Sequence, residues 1–140
     1  HSDLRRQRQM CIRDSGNALP NAIGAKMAFP MMPVTVLVGD GGFMFSMPEL
    51  LTAKEQNLSL PIIIWENGGY KQIQDDMRIM KIDPVGVEGL NPDFVMLAEA
   101  CHCKSVYADR KELFVEAFNN ALLINSPTII VVRENFDWLD

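Results

Sequence analysis

Three short, almost wholly apolar runs constrain this chain more than any other feature: residues 34–38 (VTVLV), 61–65 (PIIIW) and 128–132 (TIIVV). None approaches the ~20 residues of a membrane span. None alternates, as a strand with one wet face would. Short β-branched runs without alternation mark strands buried on both faces, the habit of parallel sheets covered by helices. The stretches between them carry helical spacing. Residues 19–29 place Pro20 in a first turn, where its missing N–H costs nothing, and offer Ala22, Ile23, Ala25 and Ala28 as a small apolar face. Residues 47–57 turn Leu50, Leu51 and Ala53 inward and Glu49, Lys54 and Glu55 outward; residues 70–80 place Ile73, Met77 and Met80 on one face. A Pro- and Gly-containing loop follows at 81–91. Residues 92–102 repeat apolar side chains at Phe94, Leu97, Ala98 and Cys101, one face of a helix. Residues 104–107 form a short strand. Asp109 is placed to cap a helix reaching about residue 124, its carboxylate accepting from the N–H of Lys111 or Glu112. Strand and helix alternate with short connections. The expected fold is therefore α/β, a doubly wound parallel sheet with helices on both faces.

Length and charge narrow the rest. A chain of 140 residues fits one domain, and 48% apolar with 22% charged residues is ordinary globular composition. The net charge is −5, unevenly placed: residues 1–15 hold Arg5, Arg6, Arg8 and Arg13 against Asp3 and Asp14, and the remainder is acidic. An acidic body argues against broad nucleic-acid binding. Three cysteines make no disulfide framework, and residues 1–15 hold no apolar signal core, so a cytoplasmic protein with free thiols is expected. The head RRQRQMCIRDS shows no periodicity and resembles a translated sequencing adaptor. It is set apart from fold reasoning, and the domain is taken as 16–140, truncated at its N-terminus.

Chemistry is expected beyond the carboxyl ends of the strands, where parallel sheets bind ligands. Two glycine-rich turns lie there: Gly39-Asp40-Gly41-Gly42 after the first run and Glu66-Asn67-Gly68-Gly69-Tyr70 after the second. Glycines let backbone N–H groups approach an anion closely. A single carboxylate beside them suits Mg²⁺, which is often held by one carboxylate plus ligand phosphates. Asp40, the Asn67 side-chain oxygen and a nearby backbone carbonyl are the candidate metal oxygens. Either turn alone is ordinary; the pair, each closing a fully apolar strand, is the signal. Cys101-His102-Cys103 lacks a second Cys/His pair to complete a tetrahedral metal site.

The run from Gly39-Asp40-Gly41 to Asn67 resembles the thiamine diphosphate-binding motif, GDG followed some two dozen residues later by NN. The flanks agree: GNALPNAIGAK at 16–26 is similar to the family's MGxxxPAAIGAK helix, and GDGGFMFSMPELLTA to its GDGGF…QELxTA stretch. The resemblance covers nearly all of 16–135. It implies the C-terminal, diphosphate-binding domain of an enzyme of the acetolactate synthase and 2-oxo acid decarboxylase group, with thiamine diphosphate and Mg²⁺ as cofactors. Residue by residue, it implies Asp40 and the Asn67 side chain as metal ligands, with the backbone carbonyl of Gly69 as a third. Gly39 lines the same turn, Gly41 and Gly42 bring amides to the diphosphate, and Tyr70 opens the helix that closes over it.

Two departures stand out. Glu66 replaces the first Asn of NN and brings a second negative charge toward the diphosphate; Ser15-Gly16 stands where the family has Met-Gly. The family's activating glutamate belongs to a pyrimidine-binding domain of a partner chain, so no catalytic residue is assigned here and the fragment alone is expected to be inactive. The resemblance further implies a homodimer or homotetramer, a small 2-oxo acid substrate, no membrane or nucleic-acid partner, and an exposed apolar patch on the helices at 19–29 and 47–57. NGGYKQIQDDM, IDPVGV and NPDFVMLAEACHC resemble a subgroup that includes 5-guanidino-2-oxopentanoate decarboxylases; a true acetolactate synthase domain is the alternative. A non-catalytic nucleotide-binding or interaction domain would use the same scaffold, but GDGGFM lacks Gly-x-Gly-x-x-Gly spacing.

Overall fold

The computed structural model describes residues 15–139. The head expected to stand apart falls, except for Ser15, outside the described residues. In chain order the elements are α1 (Ala18–Ala28), β1 (Val36–Gly39), α2 (Asp40–Met44), α3 (Glu49–Glu55), β2 (Leu60–Glu66), α4 (Lys71–Ile79), α5 (Phe94–Ala100), β3 (Lys104–Tyr107), α6 (Lys111–Leu123) and β4 (Pro127–Arg133). A 3₁₀ turn at Asp137–Leu139 follows.

The four strands form one parallel sheet in the order β1-β2-β4-β3. Alternate residues of β2 and β4 point to opposite faces, and both faces are covered because both are apolar. On one face Ile62, Ile64, Ile129 and Val131 pack against Leu19 of α1, Leu50 of α3 and Phe94 of α5. On the other, Ile130 and Val132 pack with Ile63, Trp65 and, from α6, Phe114 and Phe118. The connection that returns from the edge strand β3 to β4 is α6, on the second face, whereas the outward steps run through α3 and α5 on the first. A right-handed rule for parallel crossovers requires that change of face when the direction along the sheet reverses. Cover on the second face stops short of β1, where Leu37 is 68% exposed.

Four local expectations are corrected. The first strand starts at Val36, not residue 34, and the GDGG segment is not a loop: Asp40 opens the helical turn α2 directly after Gly39. Helix α4 does not bury the stripe of Ile73 and Met80, which are 51% and 66% exposed; its buried residue is Gln74. That helix leans on the loop at 81–91, where Gln74 Nε2 donates to Glu88 Oε1 at 2.8 Å, so its inward face is polar. Asp109 does not cap α6: the N-cap is Arg110, with which Asp109 pairs at 3.1 Å. A side-chain cap forms instead on α5, where Asp93 Oδ1 accepts from Val95 N at 2.9 Å and Met96 N at 3.0 Å. The Met96 amide is the first reason the Asp93 carboxyl is held below its ordinary range.

Phe43 of α2 and Phe94 of α5 meet edge to face, 5.8 Å between centroids, and both are fully buried. This contact ties the turn bearing Asp40 to the helix beyond the 81–91 loop. Phe94→Ala is expected to cost about 3–5 kcal/mol of stability, the usual range for an emptied aromatic core site. Urea unfolding followed by circular dichroism checks it, and a loss below about 1 kcal/mol would contradict the packing described.

Candidate functional site

Register decides what meets at the head of the sheet. Gly39 at the end of β1 pairs with Trp65 of β2, so the residues just beyond, Asp40 and the Glu66–Tyr70 turn, are neighbours despite the 27 positions between Asp40 and Asn67. Asp40 is completely buried. Its Oδ2 accepts from the backbone amides of Asn67 (3.1 Å), Gly68 (2.8 Å) and Gly69 (3.0 Å) and from Asn91 Nδ2 (2.7 Å). Its Oδ1 accepts from Gly41 N at 2.7 Å.

Three successive amides can converge on one oxygen only if the turn curls with left-handed residues, and Gly68 and Gly69 supply φ of +88° and +120°. Gly69 is further confined: a Cβ there would lie 2.8 Å from the Val87 carbonyl oxygen and 3.0 Å from Gly89 N. The crowding arises because the 81–91 loop is laced to the turn. Tyr70 N donates to Val87 O at 3.0 Å, and Gly69 pairs with Glu88 in an antiparallel bridge. Gly41 is demanded from the other side, since a Cβ would stand 2.9 Å from the Tyr70 ring and 3.3 Å from the Gly69 carbonyl.

Among the described residues no Lys or Arg lies within ion-pair distance of Asp40. A buried carboxylate compensated only by dipoles, with spare acceptor capacity on Oδ1, is what a divalent cation needs. Among the described residues no three His, Cys, Asp or Glu side chains gather into a metal cage. A cation here would complete its shell from amide and carbonyl oxygens and from the ligand, the pattern of Mg²⁺. The turn lines a cleft of about 630 Å³ that also takes in Gly16, Asn17, Gly39, Gly42 and Tyr70. All seven candidate residues therefore fall in one place. Asn67 and Gly69 meet Asp40 through backbone N–H groups, which leaves the Asn67 side chain and the Gly69 carbonyl for other partners.

Glu66 is neutralised. Arg133, its register partner on β4, donates from Nε to Glu66 Oε2 at 2.6 Å, and the guanidinium lies 4.5 Å from the centre of the Tyr107 ring. The hydrogen bond to Glu66 is the main reason Arg133 is held above its ordinary pKa. Burial is the main reason Tyr107 is raised; its hydroxyl donates to Asp93 at 3.3 Å. The extra charge foreseen at Glu66 is thus spent on the neighbouring strand. The residue that sequence reasoning missed is Asn91. It comes from 51 positions away, and only its place just before Pro92 and the cap Asp93 hinted that the chain turns there.

Residues 9–132 match the family described as "Thiamine pyrophosphate enzyme, C-terminal TPP binding domain", beginning inside the head segment set apart above. The chain belongs to this family. Among curated relatives, the probable 2-ketoarginine decarboxylase AruI of Pseudomonas aeruginosa is 47% identical over 89 residues, 63% of this chain and 16% of that protein. An acetolactate synthase of Mycobacterium avium is 30% identical over 122 residues, 83% of this chain and 20% of that protein. A solved structure, the thiamine diphosphate-dependent 4-hydroxybenzoylformate decarboxylase of Rhodococcus jostii RHA1, superposes with TM-score 0.80 at 35% identity, over 88% of this chain and 24% of that one. The chain thus spans about a fifth of the length of the curated relatives it matches. These relatives give no support to a non-catalytic nucleotide-binding domain.

Gly68 and Gly69 separate two effects of adding a side chain. Both have positive φ, but only Gly69 would also collide with backbone. Gly68→Ala is expected to cost about 1–2 kcal/mol from conformation alone, and Gly69→Ala clearly more. Thermal unfolding of both variants checks the order, and equal losses would contradict the close approach of loop 81–91.

Proposed function

We propose that this chain is the diphosphate- and Mg²⁺-holding domain of a thiamine diphosphate-dependent 2-oxo acid decarboxylase. The observation that carries the reading is the fully buried Asp40 carboxylate, held by a glycine-rich turn and lacking a cationic partner among the described residues. Asp40, through Oδ1, the Asn67 side-chain oxygen and the Gly69 carbonyl hold the metal. The Gly42 amide receives a diphosphate oxygen, whereas the Gly41 amide, which the resemblance also gives to the diphosphate, is taken by Asp40 Oδ1; Gly39 lets the ligand pass close to the strand end, and Tyr70 walls the cleft. When bound, thiamine diphosphate supplies an electron sink for breaking the bond between a 2-oxo carbon and its carboxylate. This chain's part is to anchor and orient the charged tail. The domain comprises residues 16–140, with 1–15 a head outside it, and the isolated chain is inactive.

The substrate class is a small 2-oxo acid. Similarity to the 2-ketoarginine decarboxylase favours 5-guanidino-2-oxopentanoate, the same compound under another name. The acetolactate synthases support a second reading, an acetolactate synthase domain, because their match covers more of this chain, 83% against 63%. The protein works in the cytoplasm as a homodimer or homotetramer, without membrane or nucleic-acid partners. Support comes from the absence, among the described residues, of any helix long and apolar enough to cross a membrane, and from exposed Met27, Phe29, Met31, Met32 and Leu51 on and beside α1 and α3.

Asp40→Ala, in the full-length protein that carries this domain, is expected to weaken Mg²⁺-dependent thiamine diphosphate binding by more than about 100-fold. That exceeds the ~10–100-fold typical of losing a residue behind the ligands. Asp40→Asn, which keeps shape and loses charge, falls in between. Calorimetry with and without Mg²⁺ reads the effect, and full-affinity, Mg²⁺-dependent binding by Asp40→Ala would overturn the assignment. Carbon dioxide release from 5-guanidino-2-oxopentanoate, against acetolactate formation from pyruvate, separates the two substrate readings.

A further inference from the structure

Asp40 is held by one side chain that belongs to neither glycine-rich turn. Its Oδ2 takes four donors, three from the 67–69 backbone and the fourth, the shortest at 2.7 Å, from Asn91 Nδ2. Oδ1 takes one, from the adjacent Gly41 amide. A carboxylate oxygen offers two lone pairs, so Oδ2 is oversubscribed and Oδ1 keeps acceptor capacity. The terminal torsion of an aspartate is broad and nearly two-fold, so which oxygen faces the turn is set by these donors and not by rotamer preference.

The three amides belong to the turn itself. Asn91 does not: it sits at the far end of the 81–91 loop, two residues before the cap Asp93 that starts α5, and α5 is fixed in the core by Phe94. The loop has its own fastenings, Val87 O to Tyr70 N at 3.0 Å and Glu88 Oε1 to Gln74 Nε2 at 2.8 Å. Asn91 therefore couples the carboxylate to a rigid part of the fold. It also borders a second cavity, about 510 Å³, between the ends of β2 and β4, with Asn67, Glu66 and Arg133.

We propose that Asn91 is a positioning residue for the metal site: by donating to Asp40 Oδ2 it fixes the carboxylate so that Oδ1 is presented to the divalent cation. The proposal rests on the reading of the cleft as a Mg²⁺–diphosphate site and adds a residue that neither motif contains. Removing Asn91 leaves every proposed metal ligand in place, so the effect should appear in the metal requirement and not in the integrity of the fold.

The test uses the full-length protein that carries this domain, stripped of cofactor. Mg²⁺ is titrated at fixed thiamine diphosphate with binding read by calorimetry. Asn91→Ala is expected to raise the half-saturating Mg²⁺ concentration about tenfold, the worth of one hydrogen bond to a charged group. Cofactor affinity at saturating Mg²⁺ stays at the wild-type value, and the thermal midpoint of the stripped protein falls only by the small amount that losing this one hydrogen bond brings. Asn91→Ser, which keeps a shorter donor, falls between. Hydrogen exchange of the stripped protein gives a reading independent of binding: amides at 66–70 exchange faster in Asn91→Ala, and those at 127–133 do not. A lowered thermal midpoint with unchanged Mg²⁺ half-saturation and unchanged exchange at 66–70 would reduce Asn91 to a loop buttress and overturn the proposal. Wild-type protein showing no Mg²⁺-dependent binding would overturn the reading of the cleft, and this proposal with it. Wild-type binding with normal Mg²⁺ dependence in Asn91→Ala would overturn the positioning role alone.

Discussion

A carboxylate taken wholly out of water must be compensated at close range, and among the described residues Asp40 is compensated by backbone and side-chain amides and by no side-chain cation. Three consecutive amides of the 67–69 turn point at one oxygen, with a side-chain amide beside them. Much of the neighbouring structure follows from this cluster. It requires β1 and β2 to be adjacent and in a register that ends both strands at the same level. It requires positive φ at two successive residues after Asn67, hence two glycines. It requires the 81–91 loop to lie flat on the turn, which excludes a Cβ at Gly69 and brings Asn91 within reach.

The same cluster explains why the inner face of α4 is polar. An amphipathic helix packed on a sheet would bury its apolar stripe. Helix α4 instead covers the loop that covers the turn, and the loop presents Glu88 to it. Gln74 answers that charge, and Ile73, Ile79 and Met80 remain outside. With the exposed methionines and Phe29 near α1 and the bare Leu37 on β1, the surface carries more large apolar side chains than one domain's own packing needs. This accords with a domain that covers about a fifth of its relatives' length.

The sheet and the two glycine turns were legible in the sequence because each depends on local pattern. Runs such as PIIIW and TIIVV have few alternatives to a strand buried on both faces, and two glycine turns that each close such a strand point to one place at the head of the sheet. Elements set by distant partners were not legible. Asp109 reads as a cap in the sequence, but in the fold it pairs with Arg110, and the aspartate that caps a helix is Asp93, at the start of α5. Glu66 read as an unfavourable departure because its neutralising Arg133 lies 67 positions away. Asn91 gave almost no sign, since an Asn before Pro is an ordinary turn residue and its partner lies across the fold.

The central claim is that Asp40 faces two ways, Oδ2 toward the turn and Oδ1 toward a metal. Anomalous scattering from a crystal of the full-length protein grown with Mn²⁺ in place of Mg²⁺, and with thiamine diphosphate, tests it directly. The account predicts one strong peak about 2.1 Å from Asp40 Oδ1, the usual metal–oxygen distance for such an ion, with Oδ2 still bonded to the 67–69 amides and Asn91. A bound diphosphate with no metal on Asp40, or a metal bound through Oδ2 with the turn amides released, would contradict it.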